Sequence, residues 1–186
     1  MNTKTFNLTR ASIMIALACA LSFFKILELG NGGSVTMGSM VPIILVSFIL
    51  DKRWGIATGV IYSLTQMLLQ GVAAPPTEDF LNYMLVILLD YVLAFSVLGM
   101  AGTISSFIKN KCFKVIFGTT MVIFLRFVCH FLSGIIIWDV YAPEGQSVFL
   151  YSLLYNGSYM LIEYIITLTV MFLISNLTYF KNLIKN

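Results

Sequence analysis

Apolar residues run along this chain in long unbroken blocks, separated by short polar stretches rich in glycine, proline or charge. The breaks fall at Gly30 to Ser34, at Asp51-Lys52-Arg53, at Gly71 to Asp79, at Lys109 to Lys114 and at Asp139 to Gln146. Between them lie six segments, at 8–28, 37–50, 54–71, 80–108, 114–138 and 148–175. Such blocks lack the alternation of a half-buried strand and the narrow stripe of a surface helix. Their length matches helices that cross a hydrocarbon core about 30 Å thick. The pattern therefore predicts an all-α integral membrane protein, a six-transmembrane-helix bundle forming one domain over residues 1–186. The segment 37–50 is short for a full crossing, so irregular backbone is expected just before it.

Composition agrees with this reading. Hydrophobic residues make up 59% of the chain and charged residues 10%, against about 25% charged in soluble domains. The net charge of +3 forms no basic stripe, which argues against nucleic acid as a partner. Charge instead sets orientation, because cytoplasmic loops carry the excess of Lys and Arg. All of the eleven basic residues except Lys25 and Arg126 fall on one side of a six-span topology, from Lys4 to Lys185. Glu78, Asp79, Asp139 and Glu144 fall on the other side, with Glu28 at the end of the first segment. Both termini are expected in the cytoplasm of a multi-pass plasma-membrane protein. No A-x-A-like cleavage site follows the first block, so it reads as a retained helix. Cys19, Cys112 and Cys129 are odd in number and lack CxxC spacing, which points to small core residues and not to a metal site. No phosphate loop, HExxH pair or GxSxG elbow occurs. An enzyme is not expected, nor is ATP hydrolysis by this chain.

Polar residues inside the apolar blocks carry the functional signal, because ionisable groups at membrane depth usually face a partner or a ligand. Asp90 lies deep in the fourth segment, Arg126 and His130 lie one turn apart in the fifth, and Glu163 lies in the sixth. One reading is a structural ion pair between Asp90 and Arg126. The other is a ligand site, favoured by the aromatic company: Trp138, Tyr141, and Tyr151, Tyr155 and Tyr159 at four-residue spacing, with Asn156 among them. A tyrosine stripe can also be an interfacial belt. Carboxylate, imidazole, amide and aromatic faces together suit a small cationic nitrogen heterocycle, in a pocket opening outward. Ser12, Ala16 and Ala20 form a small-residue ridge on the first helix, and Gly55 with Gly59 forms another on the third. Such ridges let helices approach closely, within the bundle or against a partner.

Three stretches, GGSVTMGSMVPIIL (32–45), LLDYVLAFSVLGMAG (88–102) and LRFVCHFLSGIIIWDVYAPEG with YSLLYNGSYM, carry a family resemblance over nearly the whole chain. The chain resembles the thiamine-specific S components, or substrate-binding subunits, of energy-coupling-factor (ECF) vitamin transporters, the ThiT/YuaJ family. That resemblance implies high-affinity thiamine binding near the outer membrane face, without catalysis or cofactor. It also implies work with a transmembrane coupling protein and two ATPase subunits. Carried over, the substrate-binding positions are Asp90, Tyr91, Arg126, His130, Trp138, Tyr151 and Asn156. Asp90 would meet the aminopyrimidine, and Trp138 would stack on a ring of the vitamin. Ser12, Ala16 and Ala20 fall where S components dock on the coupling protein. The loops at Gly30–Ser34 and Pro75-Pro76 are candidate gates. The chain departs from some relatives at Gly33 and Met37, where a tryptophan and an acid can stand, and in the loop VAAPPTED.

An autonomous secondary transporter for a small organic cation is the alternative, with Asp90, Arg126 and Glu163 as a proton relay. It predicts uptake by this subunit alone, without ATP. A membrane enzyme using His130 and Asp90 lacks an activated nucleophile or metal cluster.

Overall fold

The computed structural model describes residues 3–30, 32–77 and 79–184. Asn31, Glu78 and Lys185, which entered the loop and charge arguments, lie outside the described residues. The architecture is mostly helical. Helix α1 (Thr3–Phe23) leads into a two-stranded antiparallel hairpin, β1 (Lys25–Glu28) and β2 (Ser34–Thr36). There follow α2 (Met40–Ile49) and α3 (Lys52–Gln70). Next come α4 (Phe80–Ile104), α5 (Lys111–Ile136), α6 (Val148–Asn176) and a short α7 (Thr178–Leu183). Four of these, α1, α4, α5 and α6, are long and apolar enough to cross a membrane.

Local chemistry sets the boundaries. The side chains of Asp79, Asn110 and Ser147 accept from the backbone N–H groups of Asn82, Phe113 and Leu150, capping α4, α5 and α6. Gly71, at φ +80°, ends α3 in a conformation that a side chain would resist.

The first segment departs from expectation. Residues 8–28 read as one helix, but the helix stops at Phe23 and Lys25–Glu28 pair with Ser34–Thr36. The hairpin is the irregular backbone expected ahead of the short second segment. Helix α2 has ten residues, about 15 Å of rise, and cannot span alone. Eight of its ten residues are buried, all but Leu45 and Ile49, as expected of a helix at the centre of the bundle. Outward-facing Ile13, Leu68, Phe80, Leu154, Ile165 and Leu173 are exposed, as befits helices solvated by lipid.

Glycine decides how closely the central helices meet. A Cβ on Gly99 would collide with the Gly55 carbonyl, and one on Gly102 with the Ser47 carbonyl. A Cβ on Gly59 would stand 2.6 Å from the Phe95 oxygen. The ridge of Gly55 and Gly59 therefore serves internal packing of α3 on α4. Ser12, Ala16 and Ala20, by contrast, are exposed on α1.

Candidate ligand-binding site

Helix α4 is not α-helical throughout. Residues Ile87–Leu93 form a π-helical stretch and Val97–Met100 a tighter 3₁₀ turn. Wide turns of this kind recur at functional sites, because the extra residue per turn redirects side chains. Here the neighbours Asp90 and Tyr91 both reach the wall of one cavity of about 390 Å³. That volume lies within the range of small-molecule sites.

Asp90 organises the floor. Its Oδ1 lies 3.0 Å from His130 Nδ1, while its Oδ2 accepts from the Ser133 hydroxyl at 2.6 Å and from the Trp138 indole N–H at 3.2 Å. The same indole N–H lies 3.0 Å from Ser133 Oγ. A carboxylate accepts only, so His130 Nδ1 carries a proton, and in the neutral imidazole Nε2 is left as an acceptor. That Nε2 is buried without a hydrogen-bond partner among the described residues.

Arg126 does not pair with Asp90. Among the described residues no ion pair joins them. The guanidinium instead lies 4.1 Å over the Phe95 ring, and its Nε and Nη1 are buried without hydrogen-bond partners among the described residues. The structural ion pair weighed from the sequence is therefore not formed.

Helix α6 supplies the aromatic wall. Tyr151 stacks on Tyr155 at 5.8 Å between centroids, and Tyr159 meets both Tyr155 and His130 edge-on. The Asn156 amide donates to the Ser152 carbonyl and accepts from the Tyr159 hydroxyl. The amide is satisfied within its own helix.

Two segments cover the hollow. The hairpin is held by the Tyr155 hydroxyl, which accepts from Gly33 N–H at 2.9 Å, and by Glu163, which accepts from both the N–H and the hydroxyl of Thr36. The stretch after α3 is held by the Tyr91 hydroxyl, which accepts from Ala73 N–H at 3.1 Å and lies 3.3 Å from the Gly71 carbonyl.

All seven substrate-binding positions read from the sequence, Asp90, Tyr91, Arg126, His130, Trp138, Tyr151 and Asn156, line this one cavity. The ridge of Ser12, Ala16 and Ala20 does not. Sequence reasoning missed Ser133 and the cluster of Ser22, Gln66 and Gln70. In that cluster both glutamine amides lie 3.0 Å from Ser22 Oγ on the opposite wall. A signal was available for the glutamines, since two amides four apart are unusual in an apolar helix.

A multi-pass helical bundle with a polar, aromatic-walled cavity beneath a hairpin belongs to the class of small-molecule-binding membrane proteins. Comparison with known proteins narrows the class. The chain belongs to the thiamine transporter protein family Thia_YuaJ, whose model matches residues 8–182. This is a family of transporters, not of enzymes. The chain is 31% identical to the thiamine transporter ThiT of Bacillus subtilis, over 90% of this chain and 89% of that one. It is 26% identical to ThiT of Lacticaseibacillus paracasei, over 86% and 81%. A solved structure of ThiT from Listeria monocytogenes superposes with a TM-score of 0.72 at 19% identity, covering 98% of each chain, so the two share a fold. With bacterial relatives and four apolar helices of spanning length, the protein is a multi-pass bacterial membrane protein.

Proposed function

We propose that this chain is the high-affinity thiamine-binding subunit of an energy-coupling-factor uptake transporter, a single domain of six spans with both termini in the cytoplasm. One observation carries the reading. A carboxylate held by His130, Ser133 and Trp138 stands beside an unpartnered imidazole acceptor and aromatic faces in a hollow of vitamin size.

The chemistry matches the vitamin at both ends. The aminopyrimidine offers an exocyclic amine, for which His130 Nε2 and Asp90 are acceptors. The thiazolium is a permanent cation, suited to the aromatic faces that line the cavity, which run from Trp138 and Tyr151 to Tyr159. Tyr91 and the strap from Gly71 to Ala73 close one side, and the hairpin closes the other.

Orientation follows from charge. Lys52 and Lys114 lie together at the end opposite the cavity, where Lys111 also reaches the Lys181 carbonyl. The rule that basic loops stay inside directs the cavity outward. Exposure of Ser12, Ala16 and Ala20 on α1 supports this ridge as the docking face for a transmembrane coupling protein, which in turn works with two ATPases.

The test is calorimetry or tryptophan quenching on purified protein with thiamine, its phosphates and its pyrimidine fragment. Saturable thiamine binding at micromolar concentration or below is expected. No binding in that range defeats the assignment. Reconstituted alone in ATP-free proteoliposomes, the subunit is expected to give no uptake, and uptake there would favour an autonomous carrier.

A further inference from the structure

Glu163 is 4% exposed in the middle of α6. Its Oε1 is fully engaged by the hairpin, 2.5 Å from Thr36 N and 2.7 Å from Thr36 Oγ1. Its Oε2 is buried with no hydrogen-bond partner among the described residues, and the residue lines the large cavity. A carboxylate oxygen left bare in a low-dielectric interior is costly, so a donor or cation completing it is strongly favoured.

The other charges of the cavity do not complete it. Both oxygens of Asp90 are already engaged by His130, Ser133 and Trp138. Arg126 rests on Phe95 and makes no ion pair among the described residues. Lys25 pairs with Glu28 at the exposed rim, at 2.7 Å. Two acidic side chains and one guanidinium line the interior, and the two that pair at the rim, Lys25 and Glu28, leave that set unchanged.

Building on the thiamine-binding reading, we propose that Glu163 is a specificity-determining residue for the cationic part of the ligand. Its Oε2 meets the positive ring while its Oε1 latches the hairpin. One carboxylate thereby ties recognition of the charge to closure over it, and selects a monovalent organic cation over a neutral molecule of the same shape.

The experiment compares thiamine with its uncharged isostere, in which the thiazolium nitrogen is replaced by carbon, by titration of wild type and variants in nanodiscs. Glu163→Gln keeps the acceptor for Thr36 but removes the charge. It is expected to weaken thiamine binding at least about tenfold while changing the isostere less than about threefold. Thr36→Val loosens only the latch and is expected to weaken both ligands in parallel. Equal losses for the two ligands in E163Q, no loss for thiamine, or a cation-selective loss of the same size in T36V each overturn the proposal. If E163Q does not fold, Glu163→Asp, with the charge withdrawn by one methylene, is expected to show a reduced preference for the cation. An unchanged preference overturns the proposal there too. Wild-type protein that binds neither ligand defeats the thiamine reading itself, and this inference falls with it. Wild-type binding with an unaltered E163Q ratio defeats only the inference.

Discussion

At membrane depth a bare carboxylate is among the costliest groups a chain can carry. Asp90 is made tolerable by three donors, His130, Ser133 and Trp138, that fix its direction. Asp90→Asn would turn an amide N–H₂ toward groups that themselves donate. Thiamine affinity is expected to fall more than about tenfold, read by titration, with the protein still folded. Trp138→Ala is expected to cost a similar factor by removing the aromatic face. An unchanged affinity in either variant removes that residue from the site. Asp90, His130 and Trp138 were legible in the sequence because each stands out against apolar neighbours. Ser133 and Ser22 were not. A helical serine can satisfy itself on a nearby carbonyl, as Ser22 does on that of Cys19, and so gives no sign of what else it touches.

Among the elements, α2 to α6 followed from hydrophobic block length to within a few residues, whereas α1 ends five residues early and neither the hairpin nor α7 was read from the sequence. The hairpin's first strand, KILE, continues the apolar run of α1. Only its pairing with Ser34–Thr36 and the anchors on α6 make it a strand. The π-helical stretch around Asp90 was equally hidden, because one extra residue per turn leaves no mark on composition. The hairpin explains why residue 33 is glycine: a Cβ there would stand 2.8 Å from the Tyr159 ring and 3.0 Å from the Tyr155 hydroxyl. Gly33→Val is expected to lift the hairpin from α6 and raise the thiamine dissociation rate at least about fivefold in stopped-flow quenching. Its far-UV circular dichroism should stay that of wild type. An unaltered rate would mean that the hairpin is not a cover.

For the whole molecule, the proposed binding cavity and the proposed docking ridge are separated in space. The cavity draws residues from every long helix and the hairpin, with only Ser22 from α1, whereas Ser12, Ala16 and Ala20 lie exposed and outside its lining. Ala16→Trp is therefore expected to leave thiamine affinity within about twofold while abolishing ATP-driven uptake with the complete transporter. Retained uptake would show that the ridge is not the docking face. The location of the ridge is a result of folding alone: spacing placed Ser12, Ala16 and Ala20 on one face, but only the packed bundle reveals that the face is uncovered.

The glycine contacts that join α3 to α4 backbone to backbone leave no room for those helices to slide past one another. They act as a keel, whereas the strap and hairpin are fastened to the bundle by side-chain hydrogen bonds. A designer seeking a different cargo should therefore recut the hairpin and the facing side of α6, and leave the keel untouched.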